Sequence, residues 1–150
     1  MWRQLRGLSP GQRQGRAGRV SGSGDLDRRL CATAAAGDDS NKVWDAKELI
    51  ARGEKIYAAN CASCHQATGK GVAGAFPALD GSKVVTGPKD DQIKTVLNGV
   101  VKNGQPTAMV AWKGTLSDTD IAAVITYTRN SWGNHTGEAI QPAEVKADRS

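Results

Sequence analysis

The sequence predicts an all-α domain of about three main helices joined by long loops. Three stretches repeat their apolar residues at helical spacing: Leu49 to Asn60, Ile93 to Val100 and Ile121 to Trp132. The intervals between them are dense in Gly, Ala and Pro, the residues that punctuate regular structure. Large apolar side chains are also scarce: 39% of the 150 residues are hydrophobic and only 5% are aromatic. A domain of that kind needs something other than its own side chains to fill the middle.

Residues 1–41 come first and stand apart. They hold seven Arg and no Lys against four Asp, a net +3, together with seven of the 18 glycines. Their apolar residues follow no period, so the segment is expected to be a disordered Arg/Gly-rich stretch or linker. No run of 7–15 apolar residues follows the positive charges, so a secretory signal is not expected within it. A polyelectrolyte role on nucleic acid is the alternative for such a segment.

The ordered domain is expected over 42–133. Asp45 or a neighbour can cap a first helix running to about Asn60, with Leu49, Gly53, Ile56, Tyr57 and Asn60 on one face. A loop then spans Cys61 to Pro88. The second helix is expected from Asp90 to Val100, its start favoured by Asp90 and Asp91 and its apolar stripe made of Ile93, Val96, Leu97 and Val100. Asn103 to Thr115 reads as another loop. Ser117 and Asp120 match the S/T-x-x-D/E start of a last helix, and Gly133 suits the residue just past its end. Residues 134–150 are polar and read as a tail.

The chemistry is announced by Cys61-Ala62-Ser63-Cys64-His65. C-x-x-C-H is the spacing of covalent c-type haem attachment. Two thiols three positions apart can each add to a porphyrin vinyl group, and the adjacent imidazole reaches the iron from one face. The cofactor becomes a large buried apolar body, which would explain the sparse core. Three other readings are weaker. A zinc site needs two more ligands, and only Cys31 and His135 remain, both in the expected flexible ends. A thioredoxin-like pair wants a βαβ frame that is missing. A Cys61–Cys64 disulfide would leave His65 without a purpose. Met109 is the only methionine besides Met1; it lies 44 residues after His65 in a Gly/Pro-bounded loop, and is the expected second axial ligand. His135 is the other possibility.

With these residues in view, 42–133 resembles class I cytochromes c. Gly53, Tyr57 and Cys61 keep that family's i, i+4, i+8 spacing, and Val124 and Tyr127 match the partner positions on its last helix. The resemblance implies a class I cytochrome c fold around one covalent haem c, and makes Pro77, in Phe76-Pro77-Ala78-Leu79, the residue whose carbonyl accepts the Nδ1–H of His65. The stretches GEKIYAANCASCHQATGKGVAGAFPALDGSKVVTGP, LSDTDIAAVITYTRNSWGN and IQPAEVKA further resemble the C-terminal cytochrome c domain of bacterial cytochrome c oxidase subunit II. That resemblance implies an electron carrier without catalysis of its own. The implied donor is cytochrome c or the quinol–cytochrome c reductase complex. The implied acceptor is the copper centre of the oxidase, with its other subunits as partners. The implied location is the periplasmic side of the bacterial inner membrane, with membrane contact only through the parent complex. The copper ligands and transmembrane anchor of that subunit have no counterpart in this chain, so no copper site is expected in it.

Charge narrows the alternatives. Residues 42–150 carry 13 basic and 11 acidic residues, only +2 of the total +5, so no nucleic-acid partner is expected for the domain. Lys70, Lys83, Lys89, Lys102 and Lys113 could steer an acidic protein. No run of about 18 apolar residues exists for a membrane span, and three cysteines cannot make a disulfide framework. Haem attachment normally occurs outside the cytoplasm, so the missing export signal suggests that residues 1–41 are not a natural mature start.

Overall fold

The computed structural model describes residues 39–150; most of the segment expected to be disordered lies outside them. Its last three residues, Asp39–Asn41, form a 3-10 turn with Ser40 buried, so the ordered domain begins earlier than the predicted 42. The elements that follow are α1 (Ala46–Asn60), α2 (Ala62–His65), α3 (Lys83–Thr86) and α4 (Lys89–Asn98). A hairpin of β1 (Val101–Lys102) and β2 (Gln105–Pro106) comes next, then α5 (Asp118–Arg129) and α6 (Pro142–Arg149). The fold is mostly helical with few strands, as the sequence predicts.

The three expected helices are α1, α4 and α5, and their caps follow from local chemistry. Asp45 accepts Lys47 N–H at 2.8 Å at the start of α1. Ser117 Oγ accepts Asp120 N–H at 3.1 Å at the start of α5. Each bond satisfies a helix N–H that has no partner within the helix. The predicted faces turn inward: Tyr57 on α1, Ile93 and Leu97 on α4, and Ile121, Val124 and Ile125 on α5 join one core, and Leu49 on α1 is buried too.

The crossing of α1 with α5 is the tightest contact in the fold. A Cβ on Gly53 would stand 2.1 Å from the Ala123 carbonyl oxygen and 2.7 Å from Tyr127 Cβ. Only glycine lets the two backbones meet there. Tyr57, Tyr127 and Trp132 continue the contact as an edge-on aromatic group with centroids 5.2–5.6 Å apart.

The expected loop over Cys61 to Pro88 holds the short helices α2 and α3, the one over Asn103 to Thr115 holds β2, and the end of the chain differs as well. The last helix ends at Arg129, capped by Asn130, and the residue in the left-handed region beyond it is Trp132 (φ +56°), not Gly133. The expected polar tail over 134–150 contains α6, and Ile140 and Val145 from it are buried in the core. Pro142 opens that helix, and Gln141 with Glu144 closes a reciprocal capping box. The tail also grips the start of the domain: Gln141 Oε1 accepts Trp44 N–H at 2.9 Å, and Gln141 Nε2 donates to the Trp44 carbonyl at 3.2 Å.

Arg129 ties the loops together from inside. It is 2% exposed. Its guanidinium donates to the carbonyls of Val85 (2.7 Å) and Gly87 (2.9 Å) and pairs with Glu138. A buried cation is tolerable here because carbonyl dipoles and one carboxylate surround it.

Candidate haem attachment site

The predicted attachment residues sit at the junction of α1 and α2. Cys61 closes α1 by donating its N–H to the Tyr57 carbonyl at 2.8 Å, and His65 N–H returns to the Cys61 carbonyl at 2.9 Å. This single helical turn puts both thiols and the imidazole on one short segment. Both cysteines are free and half-buried, so the disulfide reading does not hold in this structure. Burial, with the neighbouring Cys64 second, pushes the Cys61 thiol up to about 11, which keeps it protonated at neutral pH.

His65 is buried, and its Nδ1 lies 2.9 Å from the Pro77 carbonyl. A carbonyl can only accept, so Nδ1 carries the proton. The lone pair is therefore on Nε2, the nitrogen that faces away from Pro77. The turn between them is shaped by Gly71 (φ +62°), where a Cβ would stand 2.4 Å from the Phe76 carbonyl. Gly71 N–H donates to the His65 carbonyl at 2.9 Å, and Val72 and Phe76 bridge across the turn. Tyr57 Oη donates to the Gln66 carbonyl at 2.7 Å. Burial, with Cys61 and Tyr127 as lesser causes, holds that phenol above its ordinary range, so it remains a donor.

Met109 occupies a different loop, anchored to the end of α4. Its carbonyl accepts Val100 N–H at 3.0 Å, and its N–H donates to Thr107 Oγ1 at 3.2 Å. Gly99 (φ +71°) lets the strand after α4 pass this loop, since a Cβ there would be 2.5 Å from the Met109 carbonyl. The structure thus brings Cys61, Cys64, His65 and Pro77 together, and holds Met109 separately by its backbone. His135 is exposed.

The residues present fit a haem c. Two free thiols flank an imidazole whose tautomer leaves Nε2 unprotonated. Apolar side chains stand exposed on both donor loops: Val72 on the first (40%), and Val101 (62%) and Val110 (55%) around Met109. Exposed valines beside polar donors are the lining a large apolar group would cover. Cys31, which the zinc reading needs, lies outside the described residues; among the described residues, no three His, Cys, Asp or Glu converge as a metal site. The described strands form only an antiparallel hairpin, which leaves the thioredoxin-like reading without a frame. No helix among the described residues is long and apolar enough to cross a membrane.

Sequence reasoning missed the residues that fasten the His65 loop from outside. Trp132 was assigned to the apolar face of α5, and Asn134 to a polar tail. The helical period runs through Trp132 and no motif marks Asn134; what gives both their role is bonding to backbone far away in sequence.

Comparison with known proteins agrees with this geometry. The family described as cytochrome c oxidase, cbb3-type, subunit III matches residues 48–127. The chain is 32% identical over 104 residues to the cytochrome c subunit of the quinone alcohol dehydrogenase of Gluconobacter oxydans, covering 65% of this chain and 22% of that protein. It is 36% identical over 93 residues to cytochrome c-552 of Thermus thermophilus, covering 56% of this chain and 70% of that protein. It is 37% identical over 84 residues to the cbb3-type oxidase subunit FixP of Azorhizobium caulinodans, covering 55% and 27%. The chain thus spans about a fifth of the length of the dehydrogenase subunits it matches.

Proposed function

This chain belongs to the cbb3-type cytochrome c oxidase subunit III family, as a haem c electron-transfer cytochrome domain, and from that premise we propose a one-electron relay into a terminal oxidase. In this reading Cys61 and Cys64 would hold the haem by thioether bonds, and His65 Nε2 and Met109 Sδ would bind its iron. Bound there, the group supplies an Fe(III)/Fe(II) couple. Pro77 orients the imidazole and strengthens it as a donor through Nδ1–H. With both iron ligands supplied by the protein, the domain would carry electrons and would leave no open site for oxygen chemistry.

The observation that carries the reading is the 2.9 Å His65–Pro77 contact beside two free cysteines. It presents one imidazole nitrogen and two thiols together, which is what covalent haem attachment requires. The test is a denaturing gel stained for haem peroxidase activity. A band is expected for the native protein and none after Cys61→Ala with Cys64→Ala; a band surviving both changes overturns attachment. For Met109, the sulfur-to-iron charge-transfer band of the oxidised protein is expected to vanish in Met109→Ala, and its persistence points to another ligand.

The partners we propose are cytochrome c or the quinol–cytochrome c reductase complex as donor and the copper centre of the oxidase as acceptor. The domain would then act as part of subunit II, on the periplasmic side of the inner membrane. The subunit II-like stretches that continue through the tail, now seen as the packed helix α6, support this. A second reading is a free periplasmic carrier, favoured by the match over 70% of cytochrome c-552. Gentle purification from the native membrane separates them: co-elution with oxidase subunits supports the first, and a free monomer the second.

A further inference from the structure

The chain leaves α5 through a corner, residues 131–134, that reaches back to both ends of the loop carrying His65 and Pro77. Trp132 Nε1–H donates to the Ala67 carbonyl at 3.0 Å. Its ring occupies the space beside Gly69, where a Cβ would come within 2.6 Å of it. Gly133 N–H donates to Asp80 Oδ1 at 3.0 Å. Asn134, 1% exposed, accepts Gly81 N–H at 2.9 Å and donates to the Leu79 carbonyl at 3.0 Å. Its amide also donates to the Thr128 carbonyl at 3.0 Å, which anchors the corner to α5.

We infer that Trp132 and Asn134 are positioning residues that hold the His65–Pro77 hydrogen bond in register and through it set the donor strength of His65. This rests on the reading of His65 as a haem ligand. The two partners of that bond are 12 residues apart, so the loop between them must be closed against its own entropy. The corner grips Ala67, two residues after His65, and Leu79 to Gly81, just after Pro77. Both ends of the span are thereby fixed to one short segment at the end of a packed helix.

Backbone strain supports the same role. Gln66 (φ +62°), directly after His65, and Trp132 (φ +56°) both lie in the left-handed region, which non-glycine residues rarely occupy. Such conformations persist where surrounding bonds over-determine them. Here the Gln66 carbonyl is held by Tyr57 and the Ala67 carbonyl by Trp132. Asn134 is buried with both ends of its amide used, so its removal would leave the Gly81 N–H without its partner and the Leu79 carbonyl with the Ser82 N–H alone.

The consequence is electronic. Donation from Nδ1–H to a carbonyl makes an imidazole a stronger ligand, which favours Fe(III). Loosening the corner weakens that bond and favours Fe(II).

The test uses the haem-loaded protein as wild type, Trp132→Phe, Asn134→Ala and Val145→Ala. Trp132→Phe keeps an aromatic ring at the corner and removes the N–H together with part of the indole that lies beside Gly69. Val145→Ala is a destabilised control in α6, away from the corner. The readouts are solvent exchange of the His65 Nδ1–H by NMR, the midpoint potential, and thermal melting. In Trp132→Phe the exchange is expected to speed up about tenfold, as for a contact weakened by one decade. The reduced-to-oxidised ratio at fixed poise is expected to rise about threefold, which is about 28 mV at 59 mV per tenfold. Val145→Ala is expected to lower only the melting temperature. If Asn134→Ala does not fold, Trp132→Phe decides alone. Melting that falls with exchange and potential at wild-type values overturns the inference while leaving the ligand reading intact. A wild-type protein without covalent haem overturns both.

Discussion

The α1–α5 crossing and the loop from Gln66 to Gly81 solve the same problem by opposite means. Both must hold backbone in one place against large conformational entropy. The crossing does it with volume: Gly53 meets Ala123, and Tyr57, Ile121 and Val124 pack in one core beside it. The loop is mostly exposed and has few side chains to pack. It is fastened instead by hydrogen bonds to its backbone: Leu79 and Asp80 N–H to the Gly69 carbonyl, Gly71 N–H to the His65 carbonyl, and the Trp132–Asn134 corner from outside. Packing tolerates little change in volume but makes few demands on direction. Hydrogen bonds tolerate solvent nearby but fix direction closely, which is what a ligating imidazole needs.

The sharpest way to break the comparison is to add volume at the crossing. Gly53→Val would drive its side chain into the Ala123 carbonyl, a backbone atom that cannot rotate away. Overpacking of this kind costs about 3 kcal/mol. Thermal unfolding of the haem-loaded protein should show a loss on that scale, well above the loss for any surface substitution. A near-neutral result would mean that the helices can slide apart, and that the crossing is not held by shape.

The loop should respond less, and through direction more than volume. Gly71→Ala places a Cβ 2.4 Å from the Phe76 carbonyl at a φ of +62°. Strain at one such residue costs about 1–3 kcal/mol, and the flexible turn can relieve part of it. The expected loss is about 2 kcal/mol, with the greater effect on the His65–Pro77 contact, since both residues flank the same turn. Melting and the His65 Nδ1–H signal, measured together, check whether the second changes more than the first.

The same contrast explains what could be read from the sequence. The two faces were legible because volume leaves a period, Leu49, Gly53 and Tyr57 on one helix and Ile121, Val124 and Ile125 on the other, while their meeting at Gly53 came through resemblance. Ser117 and Asp45 announced the caps because N-caps are local. Cys61, Cys64 and His65 were legible because the spacing is the chemistry, whereas Pro77 came only through resemblance. The corner was not legible. Helical spacing continues through Trp132, so the pattern ran past the real end at Arg129, and only the distant Ala67 carbonyl gives the indole its purpose. Helix α6 was missed for a related reason. Two buried residues five apart, Ile140 and Val145, make no stripe, and a glutamine at the cap is not among the usual starts.

That overlooked helix supplies the smallest test, and it separates volume from direction within one element. Val145 docks α6 by packing, while Lys89 on α4 pairs with Glu144 on α6, and Glu144 also accepts Gln141 N–H at 2.9 Å. Burial pulls the Glu144 carboxyl upward, but the Lys89 hydrogen bond, the Gln141 N–H and the Lys89 charge together leave it below its ordinary value. Lys89 is held above its ordinary value, first by the hydrogen bond to Glu144. A lowered carboxyl contributes stability that is present above its unfolded value, about 4.3 for Glu, and is lost as pH falls through the folded value. The raised lysine contributes below its unfolded value, and its share is lost as pH rises through the folded one. The pair is partly exposed, so screening holds the effect below about 1 kcal/mol. The melting difference between wild type and Glu144→Gln should therefore be small and steady near neutrality. It should shrink as pH falls below about 4, and shrink again above the ordinary lysine range. A difference unchanged down to pH 3 would mean that Glu144 acts through its cap and not its charge, and that α6, like the crossing, is docked by packing.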